Sequence, residues 1–138
     1  MAQSIFDRRN PGSRAYLDET KLDRKSLSSM RLVLYLVDGS QVITAQLQEQ
    51  LVIGRGSTHY HPDIDLSPLD GIKYGISRQH AVFIYDDGAL YIEDLQSTNG
   101  TRINGVKLDA GEKYSLHNGD ELEIGWLRTT VRLVRAPG

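Results

Sequence analysis

The chain has 138 residues, a 39% hydrophobic share and a formal net charge of −2, which suits one globular domain with an additional segment and is too near neutrality for a general nucleic-acid binder. Its 16 basic residues are scattered, whereas phosphate-backbone affinity needs them clustered. Cysteine is absent, which excludes disulfides, thiolate metal sites and cysteine nucleophiles and suits a reducing compartment.

Residues 1–29 are polar, contain Pro11-Gly12 and show no sustained apolar period. They are expected to form a flexible tail with at most a short helix near 17–27. The first thirty residues carry Asp7, Arg8, Arg9, Asp18, Glu19 and Asp23 without an apolar run, so an ordinary signal peptide is not expected. No stretch approaches the roughly 18 to 20 apolar residues of a membrane span. The expectation is a soluble cytoplasmic protein that binds no membrane and no nucleic acid.

From residue 30 the pattern changes. Runs rich in Val, Ile, Leu and Tyr at 31–37, 41–47 and 50–53 are separated by glycine-bearing breaks such as Asp38-Gly39. Short apolar runs of this composition read as strands. Residues 56–76 interrupt the rhythm with Gly56, Pro62, Pro68, Gly71 and Gly75 around a brief Ile64-Asp65-Leu66. A loop of this length is expected to be functional or mobile. Runs 80–85 and 89–95 make a hairpin across Asp86-Asp87-Gly88, and 101–104 with 106–108 make another about Asn104-Gly105. Runs 112–116 and 121–124 flank His117-Asn118-Gly119-Asp120, and 129–134 closes the series. Ten or eleven short strands with regularly spaced turns predict an all-β antiparallel sandwich over 30–138.

Two polar clusters, Ser77-Arg78-Gln79-His80 and Ser97-Thr98-Asn99-Gly100-Thr101, stand at the ends of strand runs, with Gly54-Arg55 upstream. Ser77 and His80 suggest a serine nucleophile and base, but a triad also needs an orienting acid, an oxyanion hole and usually a strained turn around the serine, and no Gly-x-Ser-x-Gly elbow is present. No enzymatic activity is expected. His59 and His61 with Asp63 and Asp65 have metal-like composition, yet histidines on a polar loop are more often solvated, and no metal or cofactor is expected. Gly54-Arg55-Gly56-Ser57 lacks the lysine and following helix of a nucleotide loop. The turn glycines supply positive φ; at Asn99-Gly100, the neighbouring Ser97, Thr98 and Thr101 offer more hydrogen-bonding capacity than a turn requires.

Gly54-Arg55, Ser77-Arg78-x-His80, Ser97-Thr98-Asn99-Gly100-Thr101 and Asn104-Gly105, in this order and with Asp63-Ile64-Asp65-Leu66 between the first two, closely resemble the forkhead-associated (FHA) domain over about residues 30–135. The resemblance implies an eleven-stranded β-sandwich whose loops at one end bind phosphothreonine peptides. Carried over by position, it implies that Arg55 pairs with the phosphate, Ser77 hydrogen-bonds to it and Arg78 adds a second basic contact. Thr98 would line the site and Asn99 hold the peptide backbone, with Gly54, His80 and Gly100 as scaffold. Tyr60, His61 and Tyr74 in the long loop are expected to contact residues beyond the phosphate.

The function implied is recognition of a phosphothreonine-bearing protein downstream of a Ser/Thr kinase. The alternative is a phosphate-independent interaction domain using a sandwich face or an edge strand. Thr20, preceded by Asp18 and Glu19 and followed by Asp23, reads as a kinase site and as a ligand for the chain's own domain.

Overall fold

A computed structural model describes residues 27–136. Thr20 and nearly all of the expected tail and its short helix lie outside the described residues. Eleven strands follow in order: β1 Met30–Leu36, β2 Val42–Gln46, β3 Gln50–Gly54, β4 Ile64–Asp65, β5 Ala81–Asp86, β6 Ala89–Asp94, β7 Thr101–Ile103, β8 Val106–Lys107, β9 Lys113–Ser115, β10 Glu121–Ile124 and β11 Leu127–Arg135. They form two sheets, β2-β1-β11-β10-β7-β8 and β4-β3-β5-β6-β9.

Alternation along the strands builds the core between the sheets. Leu32, Leu34 and Leu36 of β1 join Leu51 and Ile53 of β3, Phe83 of β5, Leu90 and Ile92 of β6, Leu122 and Ile124 of β10, and Val131 and Leu133 of β11. Each fully buried aliphatic or aromatic side chain contributes about 1.5 to 3 kcal/mol. Leu27, expected in the tail, is buried in the same cluster, so packing begins ahead of the boundary expected at Met30.

Both predicted hairpins form. Asp87 and Gly88 join β5 to β6 with φ of 48° and 82°, and Asn104 and Gly105 join β7 to β8 with φ of 50° and 84°, the doubly positive turn that suits strand twist. A further turn at Gly125-Trp126, unread in the sequence, joins β10 to a β11 longer than expected. Seven successive pairings with β1 stabilise that length, from Met30↔Arg135 to Leu36↔Thr129.

Other features depart from the sequence reading. The sandwich is not wholly antiparallel, because β4 runs parallel to β3 with Ile53 opposite Ile64. Residues 56–76 are also more ordered than a structureless loop: they contain β4, a 3-10 turn at Ser67–Leu69 and a bridge between Ser57 and Tyr60. Ile64, Leu66 and Ile76 pin this arm to the core. Finally, β9 pairs with β6 while β10 pairs with β7 and β11, so residues 117–120 cross from one sheet to the other. Among the described residues no helix is long and apolar enough to cross a membrane.

Candidate binding site

The end of β3 and the segment entering β5 are held together by backbone bonds. The Arg55 N–H donates to the Ser77 carbonyl and the His80 N–H to the Ile53 carbonyl, each at 3.0 Å. The approach at Gly54 is so close that an added methyl would overlap the Arg78 carbonyl. This steric demand, rather than a special φ, requires glycine there.

Arg55 is thereby placed beside Ser77, and its guanidinium is aimed. Its Nε donates to the Ile76 carbonyl at 3.1 Å, while its methylenes lie so close to Gly71 that a Cβ there would sit 3.2 to 3.3 Å from them. With Nε engaged, the two terminal nitrogens remain to act as a fork. Among the described residues no carboxylate lies within 4 Å of either the Arg55 or the Arg78 guanidinium.

Ser77 and His80 are linked differently from a nucleophile and its base. The Ser77 backbone N–H donates to His80 Nδ1 at 3.1 Å, and an amide can only donate, so the ring proton sits on Nε2. Nε2 then donates to the Gly100 carbonyl at 2.8 Å. The Gly125 N–H, 3.2 Å from Nε2, cannot donate to a protonated nitrogen; it bonds the Gly100 carbonyl at 3.0 Å instead. His80 is fully buried. Burial pushes its pKa below the ordinary value, outweighing the opposing pull of the Gly100 carbonyl and the Asp94 carboxylate. A neutral histidine thus ties the segment before β5 to the β6–β7 loop, and the Gly100 carbonyl it bonds also accepts from the β10–β11 turn.

The β6–β7 loop is built on Asp94, which is buried. Its Oδ1 accepts from Ser97 Oγ at 2.6 Å and Thr101 Oγ1 at 2.7 Å, and its Oδ2 from the Ser97 N–H at 3.1 Å. Ser97 Oγ accepts in turn from the Gly100 N–H at 3.0 Å. Two hydroxyls grouped by sequence with the polar surface are therefore spent on the loop itself. Gly100, at φ 85°, makes the left-handed turn that brings its carbonyl to His80.

Thr98 and Asn99 face outward from this frame. The Thr98 N–H donates to Ser77 Oγ at 3.1 Å. The Asn99 Nδ2 donates to the Gly75 carbonyl at 2.9 Å, fixing the amide so that its Oδ1 and a second N–H are available. Gly75 is at φ 66°, and a methyl on it would collide with Asn99 and the Trp126 ring.

Arg55, Ser77, Arg78, Thr98 and Asn99 line one open groove together with Ile72, Gly75 and Ile76. Gly54, His80 and Gly100 lie behind it. Ile72 was missed in the sequence, although an aliphatic residue in a polar loop is a signal, and it is 76% exposed on the groove wall. Of the three residues expected to reach further along a ligand, none lines this groove. Tyr74 instead packs against the core and lines a neighbouring apolar hollow with Leu36, Val37 and Trp126, and Tyr60 belongs to the Ser57 bridge.

In the stretch with metal-like composition, both aspartates hold backbone. Asp63 Oδ2 accepts from the Val52 N–H at 2.8 Å, and Asp65 Oδ1 from those of Gly56 at 2.8 Å and Ser67 at 2.9 Å. Among the described residues no three metal-ligating side chains gather.

A family model, the FHA domain, matches residues 51–125, more than half of the chain. The chain belongs to the FHA domain family. It is 37% identical over 73 residues to Protein FraH of Nostoc sp., across 53% of this chain and 25% of FraH. It is 40% identical over 68 residues to the glycogen accumulation regulator GarA of Mycolicibacterium smegmatis, across 49% of this chain and 39% of GarA. The match thus spans well under half the length of these relatives. A solved FHA domain from a structural and functional study of phosphothreonine-dependent FHA domain interactions is 32% identical, with a TM-score of 0.57, over 74% of this chain and 95% of that one.

Proposed function

We propose that residues 30–138 are a non-enzymatic phosphothreonine-peptide recognition module, which recruits or regulates a signalling partner downstream of a Ser/Thr kinase. The observation that carries this reading is the groove in which Arg55, Ser77, Arg78, Thr98 and Asn99 meet, with an arginine aimed by its Nε and no carboxylate partner among the described residues. A phosphate brings roughly −1.5 to −2 charges and three acceptor oxygens. The terminal nitrogens of Arg55 meet two of those oxygens at once. The Ser77 hydroxyl, its oxygen already accepting from Thr98, donates its proton to the phosphate. Arg78, exposed on the rim, adds long-range attraction, and Asn99 holds the peptide backbone through its free amide atoms.

The preference for threonine has a physical basis. A β-branched side chain loses less rotamer freedom on binding, and burying its methyl contributes about 1 kcal/mol. The phosphothreonine-dependent behaviour of the solved relative supports the same choice. Calorimetry with one peptide in phosphothreonine, phosphoserine and unmodified forms tests the reading. Equal binding of the phosphorylated and unmodified forms overturns it.

Residues 1–29 are proposed as a regulatory tail in which phosphorylated Thr20 competes for the same groove. Only six residues separate Thr20 from the buried Leu27, and a ligand on so short a tether, where it reaches its site, is held at an effective concentration on the order of millimolar, enough to displace micromolar partners.

A further inference from the structure

A sheet edge carries backbone groups that can pair with another strand, and proteins blunt such edges by shortness or charge. The four edges here are β2, β8, β4 and β9. Strand β4 has two residues and ends on Asp65, β8 has two and contains Lys107, and β9 has three and contains Lys113. Strand β2, Val-Ile-Thr-Ala-Gln over five residues, has no charge, no proline and no glycine. Among the described residues nothing pairs with its outer side.

The register fixes which groups that side presents. At one end of the β1–β2 ladder the Leu36 N–H donates to the Gln41 carbonyl at 3.1 Å, and at the other the Leu47 N–H donates to the Met30 carbonyl at 3.0 Å. Bonded and unbonded pairs alternate in an antiparallel ladder. Ile43 and Ala45, opposite Leu34 and Leu32, therefore bond inward to β1. Val42, Thr44 and Gln46 turn their N–H and C=O groups outward. The side chains divide in the same way: Ile43 and Ala45 pack on the edge of the core, and the other three are exposed.

We propose that this edge pairs with β2 of a second copy of the chain, antiparallel about a two-fold axis at Thr44. The arrangement is self-complementary. Thr44 exchanges both of its bonds with the partner's Thr44, and Val42 exchanges both with the partner's Gln46. Ile43 then stands opposite the partner's Ala45 on the core side, a large residue against a small one, and half-buried apolar surface is covered in both copies. A closed two-fold contact uses one patch twice and stops at a dimer. It leaves each recognition groove free. Val42 lies at the end of the sandwich that carries Val37, Trp126 and the groove loops, and the two strands run in opposite directions. The grooves therefore point away from each other, so that a dimer bridges two phosphorylated chains rather than gripping one short segment twice.

Sedimentation of the full chain from about 10 µM to about 1 mM, the range of a small transient interface, tests the pairing. The mass should rise from 15.5 kDa toward twice that value, and exchange of the Val42, Thr44 and Gln46 amides should slow as concentration rises. Thr44→Pro removes an N–H that β1 does not use, and Thr44→Lys opposes two like charges at the axis. Each should weaken association by about tenfold or more, with the other amide resonances in place. A mass that stays monomeric throughout overturns the proposal. So does slow exchange at Thr44 that is independent of concentration, which assigns the edge to a segment of the same chain. A dimer that survives both substitutions places the contact on another face.

Discussion

The Thr98 amide donates to the Ser77 hydroxyl at 3.1 Å, across 21 positions of sequence. This bond joins the segment before β5 to the β6–β7 loop at the surface, above the buried connection that His80 makes between the same two regions. A hydroxyl has one proton and two lone pairs, so accepting from Thr98 orients the oxygen and leaves the proton to donate. The Ser77→Ala variant should therefore weaken a phosphothreonine peptide about tenfold or more, from the loss of one charge-assisted bond of about 1.5 to 3 kcal/mol. Because Ser77 is only half-buried and Thr98 exposed, the melting temperature should move little. Calorimetry and thermal melts on the same samples check both expectations.

Arg55 and Arg78 should behave differently. Arg55 is aimed by Ile76, and Arg55→Lys forfeits both that bond and the planar fork, so affinity should fall about tenfold, with Arg55→Ala worse. Arg78 is exposed on the rim, and Arg78→Ala should cost less than about 1 kcal/mol. That smaller loss should also shrink as salt is raised. Titrations at two ionic strengths separate the aimed charge from the rim charge.

The Gly54→Ala variant tests the close approach of β3 to the Arg78 carbonyl. The backbone must move to admit the methyl, and overpacking of this kind costs about 1 to 3 kcal/mol. Denaturant unfolding should report that loss. Phosphopeptide affinity should fall with it, because the same shift separates Arg55 from Ser77.

His80 predicts a pH dependence of stability. Its folded pKa lies below the ordinary 6.5 because burial disfavours the imidazolium. Between the folded value and about 6.5 the unfolded chain binds the extra proton and the folded chain does not. The contribution is therefore complete above about pH 6.5 and is lost as pH falls from there through the folded pKa. Unfolding measured without ligand, which avoids the phosphate's own titration, should show this slope, and His80→Gln should flatten it at the cost of a lower baseline.

The Thr20 reading makes a distinct prediction. Phosphorylation of Thr20 in the full chain should shift the amide resonances of Ser77 and Asn99, and Arg55→Ala should abolish those shifts. An unphosphorylated chain and a Thr20→Ala chain treated with kinase should give identical spectra at both residues. Spectra that do not respond to Thr20 phosphorylation leave the tail without this role.

The class of fold is legible in the residues alone, because strand formation is local: alternation places Leu122 and Ile124 on one face, and Asp87-Gly88 and Asn104-Gly105 demand hairpin turns. The order of the polar motifs is legible there too, and with it the polar members of the groove, Arg55, Ser77, Arg78, Thr98 and Asn99, but not Ile72, Gly75 or Ile76. How the polar groups divide their hydrogen bonds emerges only in the folded chain. Ser97 and Thr101 turn inward to Asp94 while Ser77 and Thr98 line the groove, although all four are small hydroxyl residues in loops or, for Thr101, at the first position of a strand. Asp94 is only three and seven positions from the hydroxyls it holds, whereas Ser77 meets Thr98 across 21 positions and Gly75 meets Asn99 across 24. The parallel pairing of β4, the overlap that forbids a side chain at Gly54, the burial of Leu27 and the exposure of Ile72 are likewise long-range outcomes. Propensity and periodicity act over a few residues, whereas burial and hydrogen-bond partners are settled only when the two sheets close on one another.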